Sequence, residues 1–142
     1  MSGPLHVANL KCYQGVDLTE TRLYFNPPAS GSSDVQALVP YDFTGATARM
    51  MIRAAQDPSS TQYLSLTIGS GLAWTSQTFS PGPAQPSYND GFVITITKAQ
   101  SLAMNGGVPF TGGYYDVLID LPGGTTICAM AGEFDLVATV TR

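Results

Sequence analysis

The stretch Phe92-Val93-Ile94-Thr95-Ile96-Thr97 decides the fold class of this chain. It is built of β-branched and aromatic residues without a break, and this composition favours a strand over a helix. Because alternate residues of a strand share one face, we expect Ile94 and Ile96 to point into the core. The stretch therefore predicts one strand of a β-rich domain.

A short helix is predicted immediately after this strand. Thr97 at the N-cap position and Gln100 three residues later have the pattern of a capping box. The glycines of Asn105-Gly106-Gly107 end the helical pattern. Between these two signals the apolar residues recur at helical spacing, namely Ala99, Leu102 and Ala103. The sequence thus predicts one short helix near residues 98–104.

A second pair of strands precedes the opening stretch. Residues 46–53 place Ala48, Met50 and Ile52 on one face at period two, and residues 62–68 do the same with their leucines and Ile68. The turn residues 57–60, Asp-Pro-Ser-Ser, separate the two segments. Two such neighbours predict a β-hairpin.

Turn signals divide the rest of the chain into further short strands. These are residues 6–13, 18–25, 72–79, 113–120, 125–130 and 134–141, with an edge piece at 35–39. Prolines and turn residues make 26–34 and 80–87 predicted loops. The predicted core residues are Ile94, Ile96, Val117, Ile119, Leu136 and Val140. The pattern predicts an all-β, antiparallel β-sandwich of one domain, residues 1–142, in which residues 1–8 form a flexible N-terminal arm.

The chain carries unusually few charges. Only 11% of its 142 residues are charged, against about 25% in an average soluble domain, and the net charge is −4. Its six lysines and arginines are scattered along the sequence, which argues against nucleic acid as a partner. A charge-poor surface suits permanent protein contact, because few ions lose their hydration when it is covered. Robust extracellular sandwiches share this composition.

The termini and the cysteines bear on the compartment. The N-terminus shows no basic segment followed by an apolar run, so we expect no secretory signal and synthesis in a cytoplasm. No apolar stretch approaches the roughly 18 residues of a membrane helix, so we expect no membrane partner. Cys12 and Cys128 are interpreted as two buried free thiols, with a late disulfide between the chain ends as the alternative.

No group of residues predicts catalysis, a cofactor or a metal ion. The single histidine, His6, lies near the N-terminus and has no evident partner. Asp116 and Asp120 share a strand face at about 13 Å, which is wider than the carboxylate pair of a glycosidase. Glu133 and Asp135 share a face at roughly 7 Å, a spacing typical of a solvated strand. We therefore predict that the chain is not an enzyme.

Aromatic residues leave two interpretations open. Trp74 is either part of the core or a platform for a ligand. Some tyrosines are carbohydrate-stacking or interface residues, since aromatic side chains are enriched in interface cores. The seven are Tyr13, Tyr24, Tyr41, Tyr63, Tyr88, Tyr114 and Tyr115.

Four blocks of the sequence carry a family resemblance. Tyr41-Asp-Phe-Thr-Gly-Ala-Thr-Ala-Arg-Met-Met-Ile-Arg53 resembles a stretch of many small tail-associated proteins of tailed bacteriophages. Ile94-Thr-Ile-Thr-Lys-Ala-Gln-Ser-Leu-Ala103 is similar to a second block, and Gly113-Tyr-Tyr-Asp-Val-Leu118 loosely to a third. Residues 132–142 match the closing strand, which ends in Thr-Arg. Order and spacing agree over residues 14–142, apart from the loops 26–34 and 80–87.

The resemblance implies an immunoglobulin-like sandwich that serves as a structural virion component. Such proteins lie in the baseplate, the tail collar or the fibre-attachment region, and they imply other virion tail proteins as partners and a homo-oligomer or ring. A virion protein is assembled in the host cytoplasm and released by lysis. The proline-rich loops, residues 26–34 and 80–90, are the expected contact arms. The alternatives are a carbohydrate-binding β-sandwich module that recognises glycans on a host surface, and a small hydrolase.

Overall fold

The computed structural model describes residues 6–23, 25–26, 39–40, 43–75 and 91–140. Strands make up most of the described chain, and one short helix, α1 (Lys98–Ala103), continues into a 3₁₀ turn at Met104–Gly107. This confirms the prediction of a β-rich chain with one helix near residues 98–104. The strands are β1 (His6–Val7), β2 (Leu10–Tyr13), β3 (Leu18–Leu23), β4 (Phe25–Asn26), β5 (Val39–Pro40), β6 (Thr47–Arg53), β7 (Gln62–Ile68), β8 (Gly71–Thr75), β9 (Gly91–Ile96), β10 (Phe110–Asp120) and β11 (Thr126–Val137).

Nine of these strands form one mixed sheet in the order β1-β11-β10-β6-β7-β8-β9-β3, and β2 also pairs with β11. β4 and β5 pair separately. The strands β2 and β3 follow each other in the chain, yet they pair near opposite ends of this path. The sheet therefore curls back on itself and is nearly barrel-shaped.

The prediction of an entirely antiparallel sheet is wrong. β1 and β2 run parallel to β11. Parallel neighbours need a long connection, and the many residues between these strands and β11 provide it. β7 and β8 are also parallel over two residue pairs. Positive φ angles of 87° at Gly69 and 96° at Gly71 allow the chain to turn so sharply there. A sandwich requires two facing sheets, and the sandwich stays a prediction.

β11 runs without a break where the sequence predicted two strands. Gly132 lies in its middle, and a Cβ atom at that position would collide with the Ala8 carbonyl group. Glycine is required here because the backbone of the N-terminal segment approaches closely, with the Ala8 amide donating to the Ala131 carbonyl at 3.0 Å. The glycine thus marks a close approach and not a turn between strands.

Alternating burial along the strands builds the core. On β6, Ala48, Met50 and Ile52 are buried as predicted, and five of the six predicted core residues are at most 1% exposed. The sixth, Val140, is fully exposed, so this prediction is wrong. β11 ends at Val137, and beyond it the alternation no longer has a neighbouring strand to pack against. The predicted core residues that are buried are Ile94, Ile96, Val117, Ile119 and Leu136.

The capping box predicted at the start of α1 is confirmed. The Gln100 amide donates to Thr97 Oγ1 at 3.2 Å, and the Thr97 amide donates to Gln100 Oε1 at 2.9 Å. The buried side chain of the helix is Ser101, whose hydroxyl accepts from the Gly15 amide at 2.9 Å. The helix therefore docks on the turn between β2 and β3 through a polar contact.

Several predictions fall outside the described residues. They concern residues 1–5 of the N-terminal arm, nearly all of the loop 26–34 and of the edge piece 35–39, residues 76–79, and the loop 80–90. Within the described ranges, neither α1 nor the 3₁₀ turn has the length or the apolar character that crossing a membrane requires.

Replacing Ile96 by aspartate is expected to abolish soluble, folded protein. Ile96 is completely buried, and an unpaired carboxylate there costs more than about 4 kcal/mol, a large share of a typical domain stability of ~5–15 kcal/mol. The matched control is Ile96→Val, expected to cost about 1 kcal/mol. The measurement is the soluble yield together with urea unfolding followed by fluorescence. A stable Ile96→Asp protein would contradict the placement of β9 in the core.

Candidate functional site

Both cysteines are free thiols, as the first interpretation predicted, but only Cys12 is buried and Cys128 is half-buried. Cys12 is buried beside Leu136, whereas Cys128 lies opposite Leu118, eight residues back along β11. That separation far exceeds the reach of a disulfide. Burial raises the pKa of Cys12 to about 11, so its thiol stays protonated at neutral pH. Burial also raises the pKa of Cys128, with a further increase from the negative charge of Asp116. Neither sulfur is activated as a nucleophile.

The acidic residues considered in the sequence occupy separate environments. Asp120 accepts from Arg49 at 3.1 Å and from the Thr126 hydroxyl at 2.6 Å. Asp135 accepts from the Gly112 amide at 2.9 Å, and Glu133 is exposed. His6 pairs through its backbone with Met130 in β1. Within the described ranges, no three His, Cys, Asp or Glu side chains come together as metal ligands.

The aromatic residues are placed mostly in or against the core. Trp74 packs on the core with its ring 5.4 Å from that of Phe43, which supports the core interpretation. Tyr115 is buried and donates its hydroxyl to the Ala8 carbonyl at 2.6 Å, while Tyr63 and Tyr114 are half-buried. Among the described tyrosines only Tyr13 is exposed, so this part of the chain presents no row of exposed rings. Tyr24, Tyr41 and Tyr88 lie outside the described residues.

The outward side of β6 and β10 forms a groove with a volume of about 420 Å³. The pairing of the two strands sets three levels across it. Turn residues 55–58 wall the groove at its Tyr114 end. We call the six side chains of these levels the Arg–Asp face; the levels are Tyr114 beside Arg53, Asp116 beside Met51, and Leu118 beside Arg49.

Asp116 lies half-buried at the middle level of the Arg–Asp face. Desolvation raises the pKa of its carboxyl, and the positive charges of Arg49 and Arg53 partly oppose this. Both arginines have other contacts, because Arg49 pairs with Asp120 and Arg53 donates to the Ser60 carbonyl at 2.8 Å. Among the described residues, no side chain forms a hydrogen bond or close ion pair with the Asp116 carboxylate. The groove therefore holds an acceptor that the described part of the chain does not satisfy.

A second surface lies at one end of the molecule. The end patch consists of four exposed apolar side chains, with exposed fractions between 47% and 106%: Tyr13, Val16, Val108 and Val140. They belong to three segments that the buried residue Gln14 joins. Its amide donates to the Val137 carbonyl at 2.9 Å, its side chain donates to the Gly107 carbonyl at 2.8 Å, and its carbonyl accepts from the Thr139 hydroxyl at 2.9 Å.

Sequence reasoning singled out neither surface. The sequence relates Asp116 only to Asp120 on the same strand. Its position diagonally opposite Arg49 and Arg53 depends on the register between β6 and β10. The alternation of arginine along β6 and aspartate along β10 was the available signal. For the end patch no local signal existed, because its segments come from three distant parts of the chain.

No protein-family model and no curated protein matches this chain. Among solved structures, similarity is found to a chain from a structure described as "Structure-based site-directed photo-crosslinking analyses of multimeric cell-adhesive interactions of VGSC beta subunits". The match covers 90% of this chain and 91% of that chain, with a TM-score of 0.32 and 6% sequence identity.

Asp116→Asn is expected to raise the free energy of unfolding at neutral pH. The folded-state pKa of Asp116 lies above its ordinary value of 3.8, so the wild type loses stability as the pH rises through the folded pKa, and asparagine removes this loss. Well below pH 3.8 the gain should vanish, because the carboxyl is then protonated in both the folded and the unfolded states. Urea unfolding of dilute wild type and variant, at neutral pH and well below pH 3.8, measures the difference in their free energies of unfolding.

The matched control is Asp120→Asn on the same strand. It removes the ion pair with Arg49, which is solvent-exposed, and weakens the bond to Thr126, so stability at neutral pH should fall by up to about 1 kcal/mol. Equal responses of the two variants would contradict the difference in environment between Asp116 and Asp120.

Proposed function

We propose that this chain is a structural component of a tailed-phage virion that acts through protein–protein contacts. Its place would be in the tail, the baseplate or the fibre-attachment region, as the sequence resemblance implies. The partners would be other virion tail proteins and further copies of the chain, in an oligomer or ring assembled in the host cytoplasm. The observation that carries the contact role is the end patch.

The end patch supports a contact role through its clustering. In the described part of the chain, five large apolar residues are exposed, and four of them belong to this patch. Scattered apolar residues on a surface are ordinary, but a contiguous group marks an interaction site. The fifth is Val7 on β1. An apolar group exposed to water lowers the solubility of the protein. Covering the end patch with a partner removes apolar surface from water, which is favourable.

The end patch is also held rigid before any partner binds. The hydrogen bonds of Gln14 join its three segments, and the Ser101 hydroxyl fixes the turn at Gly15. A partner therefore pays little conformational entropy on this side of the contact. Rigidity of this kind suits a permanent assembly in which each copy must adopt the same geometry.

We also propose that the curled sheet is an immunoglobulin-like sandwich. β11, β10, β6 and β7 form one antiparallel group, and β8, β9 and β3 form another. Within the described ranges, backbone pairing joins the two groups only between β7 and β8, over two residue pairs. So short a connection allows the groups to fold over each other as two layers around the common core.

The alternatives receive less support from the described residues. A carbohydrate-binding module would present a row of exposed rings, and the described tyrosines form none. A hydrolase would need an activated nucleophile, whereas the pKa values of both thiols are raised. We propose accordingly that the chain is not an enzyme and works without a cofactor or metal ion.

Locating the chain in a cryo-electron-microscopy map of the phage particle tests the proposed function. We expect it in the tail region, with the end patch covered by a neighbouring chain. The variant Val16→Asp/Val108→Asp should fold but be retained in particles at least tenfold less than the wild type, since two carboxylates would lose their hydration in the contact. Mass spectrometry of purified particles gives the occupancy.

The matched control is Thr125→Asp, an exposed site on the turn between β10 and β11, at the other end of those strands. It should be retained like the wild type. Full occupancy of the double variant would remove the end patch from the proposal. Particles that lack the chain altogether would refute the virion role.

A further inference from the structure

The Arg–Asp face carries a requirement that any covering partner has to meet. Asp116 is half-buried, burial raises the pKa of its carboxyl, and within the described ranges its own chain gives it no direct hydrogen bond or close ion pair. Covering it with an apolar surface would bury an unpaired carboxylate, which is strongly unfavourable, so a partner must supply a positive charge or a donor there. This requirement decides which occupant the groove accepts.

The charges of the face are arranged in two opposed columns. β6 presents Arg49 and Arg53 on either side of Met51, and the adjacent strand β10 presents Asp116 and, one level beyond the face, Asp120 on either side of Leu118. One column is entirely basic and the other entirely acidic. A surface that meets this pattern needs an acidic column opposite β6 and a basic column opposite β10.

A second copy of the same face meets this requirement under one symmetry operation. A two-fold axis parallel to β6 and β10, running between them, exchanges the two strands and keeps each residue at its level along the strand direction. Arg53 then lies against Tyr114 of the second copy and diagonally opposite its Asp116, within reach of a long side chain. The same contact is repeated by symmetry. A two-fold axis perpendicular to the strands would instead place Arg49 of one copy opposite Arg53 of the other, so that like charges would meet.

We propose, on the basis of the contact role proposed above, that the Arg–Asp face joins two copies of this chain in a two-fold symmetric pair. The reciprocal contacts between Arg53 and Asp116 hold the pair together, and Met51 and Leu118 form its apolar centre. An isologous pair of this kind is closed, so a ring would have to be built through another surface, such as the end patch.

The shape of the Arg–Asp face is compatible with the same two-fold axis. Turn residues 55–58 stand at the end of β6 and wall the groove beside Arg53. In the pair this wall faces the start of β10 of the second copy, where Gly112 has no side chain and open space around its Cβ position. A protrusion thus meets a position free of side chains. The neighbouring strands, β11 and β7, place Glu133 of one copy near Gln62 of the other, without like charges.

The size of the face indicates a modest affinity. Four adjacent strands about 4.8 Å apart and roughly seven residues long, at ~3.3 Å per residue, give a projected area of about 440 Å². A standard interface buries about 800 Å² on each partner. We therefore expect a pair that dissociates on dilution, and the charge contacts should then decide whether it forms at all.

Sedimentation velocity of the full chain over a wide concentration range tests this proposal. We expect the wild type to dimerise, and both Arg53→Glu and Asp116→Arg to raise the dissociation constant by at least about a hundredfold, because each places two like-charge contacts in the pair. An equimolar mixture of the two variants should form a heterodimer again. Each copy then supplies the charge that the other needs.

The mixture separates a contact between copies from one within a chain. Arg53 and Asp116 are also diagonal neighbours in the same chain, so the double variant Arg53→Glu/Asp116→Arg restores both kinds of contact, whereas the mixture restores only the contact between copies. Lys98→Glu on the exposed side of α1 is the matched charge reversal and should leave dimerisation unchanged. If a charge reversal does not fold, Arg53→Gln and Asp116→Asn should each weaken the pair about tenfold.

A wild type that stays monomeric at every concentration would overturn the proposal, as would variants that dimerise like the wild type or a mixture that stays monomeric. None of these results touches the virion role, which depends on the presence of the chain in particles. Conversely, the chain could dimerise in solution and yet be absent from phage particles. That result would support the two-fold pair and refute the virion role.

Discussion

The placement of β10 between β6 and β11 is the constraint on which the rest of the structure depends. β10 is paired along most of its length on both sides, so its register fixes which residues face the core and which face water. Tyr115, Val117 and Ile119 fill the core from this strand, and the residues between them form the outward face. A slip by one residue would exchange the two sets, and the buried apolar area forbids it.

This register also makes Asp116 unavoidable on the outward face, at a cost to the isolated chain. Its carboxylate is partly desolvated at a level of the sheet where the neighbouring arginines have other contacts. Groups that destabilise a monomer in this way are commonly retained for a contact or an activity. Opposed columns of arginine and aspartate fit such a contact, since they make the face complementary to a copy of itself.

The buried residue Gln14 has a comparable role at the end of the molecule. Through its amide, side chain and carbonyl it joins the end of β2 to the segment after α1 and to the chain beyond β11. The curl of the sheet brings these three segments together, because β2 and β3 belong to opposite ends of its path. The end patch is therefore a product of closure of the sheet, and the hydrogen bonds of Gln14 join its three segments.

The sequence by itself determined the features that depend on neighbouring residues. The alternation of Ala48, Met50 and Ile52, the strand ending at Ile96 and the capping box of α1 all follow from local periodicity or local hydrogen bonding. The same local signals failed at Val140 and at Gly132. Alternation continues in the sequence past the end of β11, and a glycine required by the approach of Ala8 is indistinguishable from a turn glycine.

Only the tertiary structure decided the order of the strands and the surfaces that follow from it. Three features join residues far apart in the chain: the parallel pairing of β1 and β2 with β11, the register that puts Asp116 diagonally opposite two arginines, and the gathering of the end patch around Gln14. Period-two patterns specify which face of a strand is buried, but not which strand lies beside it. That choice is made by the packing of the whole core, and the outward surfaces follow from it.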